Sequence, residues 1–110
     1  MRPELAPLDL AVFEANAMEV AELLRALGNE RRLMVLCKLV ENGEMTVGAL
    51  ADAVGLGQSA LSQHLARMRV GGVVAARRDG QTIWYRLADP RIAELISVLH
   101  RLYCSAAPAR

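Results

Sequence analysis

Between residues 46 and 87 helical and strand patterns succeed one another at a spacing that leaves few ways to fold. Val47, Leu50, Ala51 and Val54 recur on one helical face, and Thr46 stands ahead of them as a cap, which predicts a helix over about 47–54. Gly55-Leu56-Gly57 then forces a tight turn. Ser59 can cap a second helix, 58–70, in which Leu61, Leu65 and Met68 point to one side at i, i+4 and i+7. Gly71-Gly72 ends it. Val73–Arg77 and Thr82–Leu87 read as short strands, and Arg78-Asp79-Gly80-Gln81 between them contains the Asp-Gly pair of a hairpin turn. Helices this short bury their apolar faces only by packing on neighbours, and a three-residue turn makes the neighbour the next helix. The pattern is a helix-turn-helix followed by a wing.

The flanking segments are helical. Leu10, Phe13, Ala17, Val20, Leu24 and Leu27 repeat at alternating spacings of three and four, so residues 9–27 read as one helix with a coiled-coil-like seam, long enough to meet a partner helix. Gly28 is expected to end it in a left-handed conformation. Asn29 can cap a helix over 30–41, whose residues Leu33, Met34, Val35, Leu36, Cys37, Leu39 and Val40 are apolar nearly all round, as in a central, buried helix. Asp89-Pro90 opens a last helix with Ile92, Leu95, Ile96, Leu99, Leu102 and Tyr103 on its apolar face. The fold class is therefore mainly α with a small β-hairpin wing, in the order α-α-α-α-β-β-α. The 110 residues read as a single domain, 1–110, with 9–104 as its ordered core and 105–110 as a tail. Only Phe13, Trp84, Tyr85 and Tyr103 are aromatic, so aliphatic residues must fill the core. Trp84 and Tyr85 face opposite ways, and one of them packs inward.

No apolar run reaches membrane-spanning length, the N-terminus lacks a secretory h-region, and two cysteines do not make a disulfide scaffold. No membrane partner and a reducing cytoplasm are the expectations. An enzyme is not: no nucleophile with an adjacent base and acid, no phosphate-binding glycine loop and no metal set is present.

Charge is unevenly spread. Residues 1–57 carry five basic and nine acidic side chains, and residues 58–110 carry eight and three. All the cations but Lys38 are Arg, which suits phosphate and guanine. On helix 58–70 the face opposite Leu61 holds Ser59, Gln63, Ala66 and Val70, flanked by Ser62 and Arg67. Gln58, Ser59, Ser62 and Gln63 can reach base edges or phosphates in a major groove, while Arg77, Arg78 and Gln81 surround the hairpin tip, suited to a minor groove or the backbone.

GQSALSQHLARMRVGGVVAARRDGQTIWYRLAD at 57–89 resembles the recognition helix and wing of the ArsR/SmtB family of bacterial winged-helix repressors, and ALGNERRLMVLCKL at 26–39 is similar to that family's second helix. The resemblance implies a homodimer, formed by the first and last helices, that binds double-stranded operator DNA and leaves it on meeting an inducer. Matched to the motif, Gln58, Ser59, Ser62, Gln63 and His64 face DNA. The helical wheel instead puts His64 beside the core, where a structural histidine would sit.

The inducer turns on two cysteines. Metal-sensing members use a Cys-Val-Cys pair or an Asp-x-His…His set, and neither is complete here: Val35-Leu36-Cys37-Lys38 has one thiol, and Asp89 and Arg91 match only by the Asp. Without three or four ligands no metal and no cofactor is expected. Cys37 and Cys104 can be small buried apolar residues. Their settings, LCKL and RLYC, resemble the BigR-like and SqrR-like subgroup of persulfide-responsive repressors. That resemblance implies sensing thiols that reactive sulfur species join by a polysulfide bridge, with Arg101 or another cation lowering a thiol pKa. A longer bridge spans a gap that a disulfide cannot, which would make persulfide a better inducer than peroxide. A metal-sensing repressor, a general thiol-redox repressor and a winged helix used only for protein contacts are the alternatives.

Overall fold

A computed structural model of the chain describes residues 7–104. The expected tail, 105–110, lies outside them. In order the elements are α1 (Leu10–Ala15), α2 (Ala17–Leu27), α3 (Glu30–Asn42), β1 (Glu44–Thr46), α4 (Val47–Val54), α5 (Gln58–Val70), β2 (Val74–Asp79), β3 (Thr82–Leu87) and α6 (Pro90–Tyr103).

Three start signals act as expected. Asn29 Oδ1 accepts from the backbone N–H of Arg31 and Arg32, Thr46 Oγ1 from Ala49 at 3.2 Å, and Asp89 Oδ1 from Arg91 at 2.9 Å. A fourth does not: α5 is capped by Gly57, without a side-chain bond, and Ser59 is already its second residue. The seam helix is broken. Asn16 leaves helical geometry at φ −107°, ψ 5°, and its side-chain amide donates to the Val12 carbonyl, the local competition that makes Asn a poor interior residue. Gly28 ends α2 at φ −77° rather than left-handed, whereas Gly55, closing α4 at φ 71°, ψ 38°, is left-handed. An L side chain at Gly55 would cost about 1 kcal/mol or more by backbone strain alone.

The core lies where α3, α4, α5 and α6 meet the base of the hairpin. Val35, Leu36, Leu39, Leu50, Leu61, Leu65, Met68 and Val73 are fully buried. Each large side chain there contributes about 1.5–3 kcal/mol by leaving water. Of the two adjacent aromatics, Tyr85 packs on this core. The expectation of a buried α3 needs correcting on one side: Met34 and Val40 remain 45% and 37% exposed. The seam residues are largely uncovered too. Leu27 is buried and Val20 half-buried, but Phe13 and Leu24 are both 55% exposed.

The strands form an antiparallel sheet ordered β1-β3-β2, one strand more than the sequence predicts. Three residues, Glu44–Thr46, pair with Arg86, Tyr85 and Trp84. β2 runs two residues past the expected Arg77, to Asp79 opposite Thr82, which leaves a two-residue loop, Gly80-Gln81. Gly80 takes φ 65° and Gln81 a negative φ, the pattern of a type II′ hairpin turn.

Candidate nucleic-acid interface and thiol pair

α5 buries Leu61, Leu65 and Met68 and presents Gln58, Ser59, Ser62, Gln63, Ala66 and Arg67 to solvent. Gln58 lies over α4, with Nε2 3.7 Å from where a Gly48 Cβ would stand. The first N–H groups of α5 have no side-chain cap, so the end nearest these residues is electropositive.

His64 differs from its neighbours. It is half-buried, and its Nδ1 lies 3.4 Å from Nη1 of Arg32. Burial first, then the guanidinium charges of Arg32, Arg67 and Arg31, hold its pKa below the ordinary 6.5. Arg32 is itself buried, and it donates from Nε to the Ala26 carbonyl at 2.7 Å and from Nη2 to that of Arg25. Sequence reasoning missed Arg32, because nothing local marks an Arg in the first turn of a helix as buried.

The wing separates residues that the sequence groups together. Arg78 and Gln81 are exposed near the tip, where Arg78 Nη1 approaches the Gly80 carbonyl at 3.4 Å. Arg77 instead points back to β1. It grips Glu44 with Nε at 3.0–3.2 Å and Nη2 at 2.8 Å, and stacks over Trp84 with its guanidinium carbon 5.7 Å from the ring centroid. The Arg77 bond holds the Glu44 carboxyl below the usual carboxylate range, and Glu44 raises Arg77 in turn. The guanidinium counted as free for DNA is thus paired, and the missed strand β1 supplies its partner. Arg86, across the sheet from Glu44, is also exposed.

Cys37 and Cys104 come together. Both line one cavity of about 520 Å³ between α3 and α6, with Met34, Lys38, Val40, Ile96 and His100 among its walls. Both are free thiols; Cys37 is half-buried and Cys104 exposed. Cys104 caps α6, its N–H bonded to the His100 carbonyl at 2.8 Å. Burial, and next the neighbouring Cys104, push the Cys37 thiol up; Lys38 opposes them and is outweighed, while Glu41 pushes up further. For this cysteine the expected lowering by a cation is corrected: desolvation wins. Among the described residues, no cluster of three His, Cys, Asp or Glu side chains is placed to hold a metal ion, and no helix is long and apolar enough to cross a membrane.

A two-helix unit with a solvent-facing polar second helix and a basic hairpin beside it defines a winged helix-turn-helix regulator of transcription. Residues 29–76 match the model of the bacterial regulatory protein, arsR family. The chain is 46% identical over 101 residues to the transcriptional activator HlyU of Vibrio cholerae, covering 92% of this chain and 93% of that one. A structure described as reduced HlyU from the same organism superposes with a TM-score of 0.78 at 46% identity, over 86% of this chain and 98% of that one. The transcriptional repressor BigR of Xylella fastidiosa superposes with a TM-score of 0.82 at 40% identity, over 90% of this chain and all of that one. The protein belongs to the arsR family of bacterial regulatory proteins. Its relatives are transcriptional regulators, not enzymes.

Proposed function

We propose that the protein is a homodimeric repressor that binds operator DNA and releases it when reactive sulfur species join Cys37 to Cys104. The observation that carries this reading is the shared cavity between α3 and α6, which brings together two thiols that are far apart in sequence. The likeness to BigR supports repression, and the relative described as reduced supports thiol chemistry.

Gln58, Ser59, Ser62, Gln63 and Arg67 read the major groove from α5, with His64 against the core behind them. Arg78 and Gln81 touch the backbone or minor groove from the wing, and Arg77 stiffens the wing through Glu44. The uncovered seam of α1 and α2, with Leu102 and Tyr103 of α6 exposed just before Cys104, forms the dimer contact and sets the two copies of α5 about one DNA turn apart, roughly 34 Å.

Cys104, the exposed thiol, meets the donor first. As thiolate it attacks a sulfane sulfur of an organic tri- or tetrasulfide, the oxidised form of a persulfide, and one organic thiolate leaves. Cys37 attacks the resulting mixed chain and displaces the second. The two cysteines are oxidised, the donor is reduced to two thiols, and its inner sulfurs remain as the bridge. A link between α3, which supports the helix-turn-helix, and α6, at the dimer contact, then favours a non-binding placement of α5. A bias of a few kcal/mol is enough.

The test is a non-reducing mass spectrum and a DNA-binding titration after treatment with an organic tri- or tetrasulfide, and separately with peroxide. The Cys37 and Cys104 peptides should appear joined with added sulfur, about 32 Da per atom, and the protein should leave its DNA. Cys37→Ser and Cys104→Ser should each bind DNA and ignore the donor. Release with both thiols still free, or release by zinc or arsenite alone, would refute the reading.

A further inference from the structure

Two adjacent arginines at the start of α3 hold the ends of two other helices. Arg31 donates from Nη1 to the Val54 carbonyl at 2.9 Å, at the last residue of α4. Arg32 donates to the Ala26 and Arg25 carbonyls in the last turn of α2. These are carbonyls that a helix C-terminus leaves without intrahelical partners, and a cation there also opposes the negative end of the helix dipole. The remaining Arg32 nitrogen, Nη1, reaches across to His64 on α5.

We propose that the Arg31-Arg32 pair is the joint that sets α5 against α2 and α3, with His64 as its acceptor on α5. The inference rests on reading α5 as the helix that enters DNA. Arg32 carries N–H donors only, so His64 Nδ1 must accept, and its proton sits on Nε2. His64 is a positioning residue: it fixes the rotation of the helix that carries Ser62 and Gln63 on its neighbouring positions, and it reads no base. The charged groups acting on it are Arg31 and Arg32 from α3 and Arg67 on α5 itself, while α2 brings the Ala26 and Arg25 carbonyls and, in a pocket shared with Arg32 and Arg67, the mutually paired Glu22 and Arg25 side chains. All three charges are positive, so a proton added at Nδ1 removes the acceptor and sets like charges together. The joint is closed in the neutral state and opens as pH falls below the ordinary imidazole value.

The experiment uses the full-length protein and a duplex that it selects from a random-sequence pool, with a mixed-sequence duplex as reference. A two-bond ¹H–¹⁵N spectrum should show His64 as the Nε2–H tautomer. Asn offers an amide oxygen near the place of Nδ1 and does not titrate, so His64→Asn should keep the ratio of selected to mixed affinity within about threefold of wild type at about pH 8. His64→Ala and Arg32→Lys should each lower that ratio about tenfold, the scale of one charge-assisted hydrogen bond. The wild-type ratio should fall between about pH 8 and about pH 5.5, and that of His64→Asn should stay level. An Nδ1–H tautomer, or a loss in His64→Asn equal to that in His64→Ala, would overturn the joint. A pool that yields no preferred sequence would instead refute the proposed function, while the tautomer still decides the contact.

Discussion

Neutralising Glu44 should strengthen the protein's grip on DNA of any sequence. In the free protein the Arg77 guanidinium is held by both Glu44 oxygens and lies over Trp84, so it adds little to the positive face of the wing. Glu44→Gln removes the charge that holds it and leaves a side chain of the same length. One more phosphate contact steepens the dependence of log affinity on log salt by about 0.9. For a fourfold rise in salt, from about 50 to about 200 mM, that is an extra loss of about 3.5-fold in affinity. Fluorescence anisotropy on a mixed-sequence duplex across this range measures the slope. Glu44→Gln should steepen it by about 0.9, Arg78→Ala should flatten it by as much, and Arg77→Ala should change it much less. Equal flattening by Arg77→Ala and Arg78→Ala, with no effect of Glu44→Gln, would refute the reasoning and show that Arg77 leaves Glu44 for phosphate. The pair also has a defined pH window: because Arg77 lowers the Glu44 pKa, its contribution is present above the ordinary carboxylate value and is lost as pH falls through the folded one.

Leu24→Glu puts a charge on the exposed apolar seam; dimerisation by analytical ultracentrifugation and DNA affinity should fall together, and a monomer that binds undiminished would contradict the dimer contact. Gln63→Ala should cost about 1–3 kcal/mol on the selected duplex and little on mixed DNA; equal losses on both would rule out base reading by this side chain. Alkylation of Cys37 should show an apparent pKa above that of an ordinary thiol, and Cys104→Ser should bring it down, because the Cys104 thiolate raises it; an unchanged profile would separate the two thiols electrostatically.

Much of the architecture was legible because its signals are local. Thr46, Asn29 and Asp89 cap helices through atoms two or three residues away, and the i, i+4, i+7 row of Leu61, Leu65 and Met68 fixes which side of α5 faces the core. The polar side of the same helix follows by subtraction. The break at Asn16 was local as well, but it ran against a strong apolar period that continues across it. β1 left no signal, since three residues are too few to show alternation and their pairing with β3 is made forty residues away in sequence.

By itself the sequence determined the helix-turn-helix and the hairpin after it, the inward row of α5 and the basic character of the second half. Which side chains meet across elements was decided only by tertiary packing. Arg77 and Arg78 are neighbours of identical chemistry, and only the sheet, by bringing Glu44 beside one of them, makes them unlike. Arg32 reads as an exposed first-turn residue until α2 and α5 close over it. Cys37 and Cys104 share a cavity because α6 packs back along α3, and the same packing buries Cys37 enough to raise its pKa against Lys38. Charge state, pairing and reactivity depend on distances through space, and a linear pattern encodes those only once the chain has closed on itself.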